Sequence, residues 1–121
     1  TPYITINTLS VYKFSENYLV TIDDGTIIQK LVEFSLERKC LQIQGFDLIE
    51  NGDMNQFLNM NFNAITKQIG QPHVDIGSGF YIPAYITKDA NLICFELENE
   101  IVFEVIKRDL LTNEIVDCVS N

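Results

Sequence analysis

The second half of the chain carries the clearest alternation of apolar and polar positions. Phe80 to Thr87 sets Ile82, Ala84 and Ile86 against Tyr81, Pro83 and Tyr85, the period of a strand. Lys88-Asp89-Ala90-Asn91 is polar and turn-like. Leu92–Leu97 places Ile93, Phe95 and Leu97 on one face, and Ile101–Lys107 does the same with Ile101, Phe103 and Val105. Directly opposed residues of an antiparallel pair share a face. A four-residue loop at Lys88–Asn91 would pair Ile86 with Ile93 and Ala84 with Phe95. A three-residue loop at Glu98–Glu100 would pair Leu97 with Ile101 and Phe95 with Phe103. A two-residue loop at Asn99–Glu100 would set Glu96 against Phe103, so the longer loop is expected. The pattern predicts an antiparallel meander of strands 80–87, 92–97 and 101–107 with one continuous apolar face.

Residues 61–69 fit a short helix that covers this face. Asn61 is a suitable N-cap and Gly70 a suitable stop, while Phe62, Ile65 and Ile69 recur at helical spacing. Gln71-Pro72 blocks continuation. Pro83, lacking an amide hydrogen, belongs at an edge or a bulge. The sheet's other face mixes Tyr81, Tyr85, Cys94, Glu96, Val102, Glu104 and Ile106, as a covered face or a partner-binding one would. The fold class expected is α+β, with residues 1–121 as a single domain.

The first half is harder to read. Ser10–Phe14 and Tyr18–Ile22 look like strands, and Asp23-Asp24-Gly25 is a turn signal. Residues 26–40 fit two periods: Ile27, Ile28, Leu31 and Val32 suit a helix from Thr26, whereas Val32, Phe34 and Leu36 alternate as in a strand. A helix fraying near Ser35 is the expectation. Leu41–Gln44 reads as a strand and Asn51-Gly52-Asp53 as a turn or loop.

Length and composition narrow the class. At 121 residues and 46% hydrophobic content the chain can bury a core without a metal or disulfide staple. Its 17 acidic and 8 basic residues give a net charge of -9. A field of that sign repels nucleic acid and anionic lipid and attracts cationic partners. Cys40, Cys94 and Cys118 are odd in number and widely spaced, which is neither a disulfide framework nor a zinc pattern. Free thiols suit a reducing cytoplasm. No apolar run approaches a membrane span, so no membrane insertion is expected. The sequence opens Thr1-Pro2 without a methionine, which leaves an extracytoplasmic location open if a leader was removed.

The sequence carries no obvious catalytic constellation. His73 is the single histidine, and a general base needs an orienting partner and a nucleophile within reach. Its pairing with Cys94 or Asp75 is the enzymatic alternative, to be tested by proximity. Asp75-Ile76-Gly77-Ser78-Gly79 permits a tight backbone path that could cradle an anion. It has no P-loop lysine, so a turn aiming the following strand is expected. Glu96, Glu98, Glu100 and Glu104 cluster around one hairpin. With tyrosines on the same sheet face they suggest a protein-binding surface made of Tyr81, Tyr85, Glu96, Glu98 and Glu104. No cofactor and no metal are expected.

The segment from Phe57 to Lys107 resembles a known architecture. Phe57-Leu58-Asn59-Met60, the short helix, Ile69-Gly70-Gln71-Pro72 and the meander are similar to the repeat of β-lactamase-inhibitor-protein-like domains, shared with the small outer-membrane assembly lipoproteins. The family's small or acidic helix start is here Asn61-Phe62-Asn63, and its Asp-Gly turn is Asp89-Ala90. The resemblance implies a sheet whose open face binds a protein. By class analogy of size, acidity and absent catalytic groups, the chain also resembles bacterial toxin immunity proteins, which neutralise a basic toxin domain by direct binding. An envelope assembly or sensor module is the alternative that the lipoprotein resemblance implies.

Overall fold

The structure, a computed structural model, describes residues 1–15, 17–23, 28–35, 40–43, 48–50 and 52–121, with the backbone alone given at 23, 28–33, 35 and 40–43. Ten strands form two antiparallel sheets. The first contains β1 (Ile4–Ile6), β2 (Leu9–Phe14), β3 (Asn17–Asp23), β4 (Ile28–Ser35) and β5 (Cys40–Ile43), paired in chain order. The second contains β6 (Val74–Asp75), β7 (Pro83–Ile86), β8 (Asn91–Glu98), β9 (Ile101–Asp109) and β10 (Ile115–Ser120), also paired in chain order. Along the chain, a short 3-10 helix (Met54–Phe57) and helix α1 (Phe62–Ile69) connect the two sheets. The fold class is α+β, as the alternation predicts.

The second sheet is the middle layer. On one face Ala84, Ile86, Leu92 and Cys94 pack in one buried cluster with Leu9, Val11, Val20 and Ile22 of the first sheet. On the other face Tyr85, Ile93, Phe95 and Val105 pack against Met54, Phe57, Phe62 and Ile65 of the two helices. Burying each such side chain contributes about 1.5–3 kcal/mol. The aromatic rings interlock edge to face, with Phe57–Phe95 centroids at 5.3 Å and Tyr85–Phe95 at 5.7 Å.

Helix α1 starts and ends where its sequence signals lie. The Asn61 side chain accepts from the Asn63 amide at 2.8 Å. Gly70 stops the helix at φ 90°, a backbone angle other residues rarely adopt. Phe62 and Ile65 are buried against the sheet.

Both hairpin registers differ from the expectation, for reasons of turn geometry. Ala90 takes φ 64°, which closes a three-residue loop, Lys88–Ala90, in place of a four-residue one. The Thr87 amide donates to Asn91 O, and the Thr87 hydroxyl accepts from the Asn91 amide and donates to Asp89. Ile86 therefore faces Leu92, and Tyr85 faces Ile93. In the second hairpin Asn99 and Glu100 have φ 51° and 67°, the paired left-handed residues of a two-residue turn. A β-bulge resolves the clash of faces that argued against this turn. Leu97 pairs with Val102 and Glu96 with Glu104, which leaves Phe103 as the extra residue on β9.

The slip changes which residues form the core. Phe95, Ile93, Ile86 and Val105 are buried as expected, but Ile101 and Phe103 are 36% and 38% exposed. The first strand of the meander is also shorter than 80–87, because residues 76–82 fold as a loop. In the first half the strands near 10–14 and 18–22 appear as β2 and β3, and the strand at 41–44 as β5, with Gln44 outside the described residues. Where a helix was expected from Thr26, β4 is a strand. Its pairing with both β3 and β5 outweighs helical spacing. The turn expected at Asp23-Asp24-Gly25 falls partly outside the described residues, as does Asn51.

Candidate functional site

Strand register divides the expected site residues between two faces of the second sheet. Val102 and Leu97 face the helices. Glu96, Glu98, Ile101, Phe103 and Glu104 thus lie on the opposite face, at the end of the β8–β9 hairpin. Among the described residues, the first sheet covers this face as far as Cys94, around which Ile6, Ile82 and Ile106 gather. Beyond that point the hairpin overhangs. Glu96 and Glu104 stand directly opposite each other and are half-buried, while Glu98 is exposed.

Tyr81 and Tyr85 do not share a surface. Tyr85 is fully buried beneath α1. Its hydroxyl donates to Gly70 O at 2.7 Å, and burial, then the neighbouring Tyr81, push its ionisation far above the ordinary phenol range. It is a core residue and is withdrawn from the binding surface. The reason is the three-residue turn, which rotates β7 by one position. Tyr81 is 50% exposed and stands beside Phe80 at 64%. Phe62 holds the Tyr81 ring edge to face at 6.2 Å.

The loop from Asp75 to Ile82 is cross-braced. The Gly77 and Ile82 amides donate to Asp75 Oδ1 at 2.9 and 3.0 Å. These amides, which could have cradled an external anion, hold the chain's own carboxylate. The Asn7 side-chain amide, in the β1–β2 turn, donates to the carbonyls of Asp75 and Gly77 at 2.8 and 2.9 Å. A side chain at Gly77 would bring its Cβ within 1.7 Å of Phe80 O, so the loop admits only glycine there. As the glycine spacing suggests, the loop aims the following strand, and it also displays Phe80 and Tyr81.

The loop meets the hairpin in two clefts, one on each face of the sheet. Ile82 and Glu96 line one cleft, of about 230 Å³, together with Ile76 and Ile106. Tyr81, Leu97 and Glu100 line another, of about 180 Å³, beside the start of α1. Tyr81, Glu96, Glu98 and Glu104 are therefore brought to one end of the molecule. Ile101 and Phe103 join them, and these two were missed because their alternation reads as core.

Cys94 does not share the cavity that His73 and Asp75 line. Cys94 is enclosed between the sheets, and burial raises its thiol to about 12, with Arg108 opposing and Glu96 reinforcing the shift. Cys118 is exposed on β10, and its thiol is also raised, by partial desolvation first and then by Glu104, Asp117 and Glu96. His73 accepts the Ile86 amide on Nδ1 at 2.7 Å, which places the imidazole proton on Nε2. Among the described residues no group of three or more His, Cys, Asp or Glu side chains could hold a metal ion. Among them, too, no helix is long and apolar enough to cross a membrane.

Comparison with protein-family models, with curated proteins and with solved structures finds no match.

Proposed function

We propose that this chain is an immunity-type inhibitor, a protein-binding module that neutralises a basic toxin domain by covering it and performs no chemistry of its own. The observation that carries this reading is the overhanging face of the second sheet. There Ile101 and Phe103 are exposed among Glu96, Glu98 and Glu104, and Tyr81 and Phe80 extend the apolar surface at its edge. Exposed apolar residues set among carboxylates, with Arg108 further along the same cleft, have the composition of an interface. The net charge of -9 supplies attraction toward a basic partner. Tyr81 and Phe103 give contact area, while Glu96, Glu98 and Glu104 steer the encounter and pair with Lys or Arg.

The absence of chemistry in this reading is supported by the state of the candidate nucleophile. A thiol raised to about 12 and enclosed by two sheets is a poor one at neutral pH.

The test is co-expression with the product of the adjacent gene, followed by purification and a growth assay. A stable complex and relief of toxicity are expected. Phe103→Glu should abolish the complex without unfolding the chain. No complex and no protection would overturn the reading. So would a complex whose formation is indifferent to salt and to Glu96→Gln with Glu104→Gln.

A further inference from the structure

The cavity between the β1–β2 turn and the braced loop meets the proposed binding surface at Tyr81, and the reading above does not use the rest of its lining. It has a volume of about 360 Å³ and is lined by Asn7, Thr8, His73, Asp75 and Tyr81 over a floor that includes Ile22. That is near the lower end of the range of ligand pockets, roughly 300–1,000 Å³.

Its wall has a definite chemistry. Among the described residues Asp75 is the one formally charged residue on it, and no Lys or Arg lines it. Tyr81 contributes an aromatic ring backed by Phe62. Asn7 commits its amide hydrogens to the carbonyls of Asp75 and Gly77, so its remaining polar atom is an acceptor oxygen. Thr8 adds a hydroxyl. The Tyr81 hydroxyl is raised by burial and then by the Asp75 carboxylate, which marks the two as neighbours. Both sit on a loop fixed by hydrogen bonds and by Gly77, so little ordering remains to be done on binding.

We infer that this cavity is a receptor for one guanidinium side chain of the protein partner, held by the Asp75 carboxylate and stacked on Tyr81. This deepens the reading of the chain as a binder of a basic domain and rests on it. A guanidinium fits better than an ammonium, because it is planar, stacks on an aromatic face and offers several donors to spread-out acceptors. An anion fits badly. The two loop amides nearest it already serve Asp75, and the wall has no cationic side chain to neutralise it. A single carboxylate is also too few ligands for a divalent cation.

The test uses the isolated chain and a named probe, N-acetyl-arginine amide, followed through backbone amide shifts. Saturable shifts are expected at Asn7, Asp75, Gly77 and Tyr81, with millimolar affinity. The citrulline analogue, equal in shape and uncharged, should bind at least tenfold more weakly, and the lysine analogue several-fold more weakly. Asp75→Asn retains the Oδ1 acceptor that braces the loop and removes the charge, so it should abolish binding with an unchanged spectrum elsewhere. Should that variant unfold, Tyr81→Leu, at an exposed position, should weaken binding at least fivefold. Equal binding of arginine and citrulline amides, shifts confined to residues 96–104, or unaltered binding by both variants would overturn the assignment. The titration needs no partner, so its failure is distinct from failure to find a toxin complex.

Discussion

The two ends of the second sheet are built from the same alternation of apolar residues and differ in what lies over them. At one end Ile86, Leu92 and Leu110 are covered by the first sheet, and Tyr85 and Ile93 by the helices. At the other end the helices still cover Val102 and Leu97, but on the opposite face Ile101 and Phe103 are exposed and Glu96 and Glu104 only half-buried. Alternation specifies that a strand has an apolar side. It does not specify that the side is internal, which depends on the reach of the neighbouring layer.

This comparison can be broken most directly at its two phenylalanines. Phe95→Ala, at the covered end, should cost about 3–5 kcal/mol in urea unfolding, whereas Phe103→Ala should cost under about 1 kcal/mol. Equal losses would mean that the overhang is part of the core. Tyr85→Phe comes next. It strands the Gly70 carbonyl and should cost about 1 kcal/mol, while Tyr81→Phe should leave the melting temperature unchanged.

Alkaline pH should act on the covered end through Cys94. Its folded thiol is raised to about 12 from an ordinary value of 9.0, so above the latter the unfolded chain loses a proton that the folded chain keeps. Fewer protons bound in the unfolded state mean that stability falls as pH rises through that window. Thermal scans from about pH 8 to about pH 11, a window that spans the ordinary thiol value, should show a smaller decline for Cys94→Ala than for the parent.

The smallest effect belongs to the open end. Glu96 and Glu104 oppose each other across the strands, an arrangement that costs roughly 0.2–1 kcal/mol. Glu104→Gln should therefore stabilise the isolated chain by a few tenths of a kcal/mol at low salt, an advantage that fades as salt rises. The same substitution should slow association with a basic partner. Stabilisation without a change in association rate would assign the pair no role in binding.

The helix was legible because its signals are local: Asn61 caps, Gly70 stops, and Phe62 and Ile65 set the buried stripe. The three meander strands were legible as strands for the same reason. Their register was not, since it depends on backbone angles that composition does not encode. Ala90, Asn99 and Glu100 adopt left-handed conformations without a glycine, and the bulge at Phe103 has no sequence mark. That slip carried the site with it, placing Tyr85 inside and Phe103 outside. Glu96 and Glu104 stay off the helix face, because they pair with each other across β8 and β9 in spite of the slip. The first sheet was hidden further by β4, whose spacing fits a helix and whose strand state comes from its two neighbours.

The order of strands has a consequence for how the chain reaches this structure. In both sheets each strand pairs only with those adjacent in the chain. Hairpins of that kind close short loops, and their entropic cost is small. Hydrogen bonds that join distant sequence include those from Asn7 to residues 75 and 77 and those from residues 59–62 to 100–102. Contact order within each sheet is therefore low for a β-rich fold, and each can zip up from its own turns. Docking of one sheet on the other is then expected to follow hairpin closure, with the Asn7 bonds to the braced loop as the latch between them.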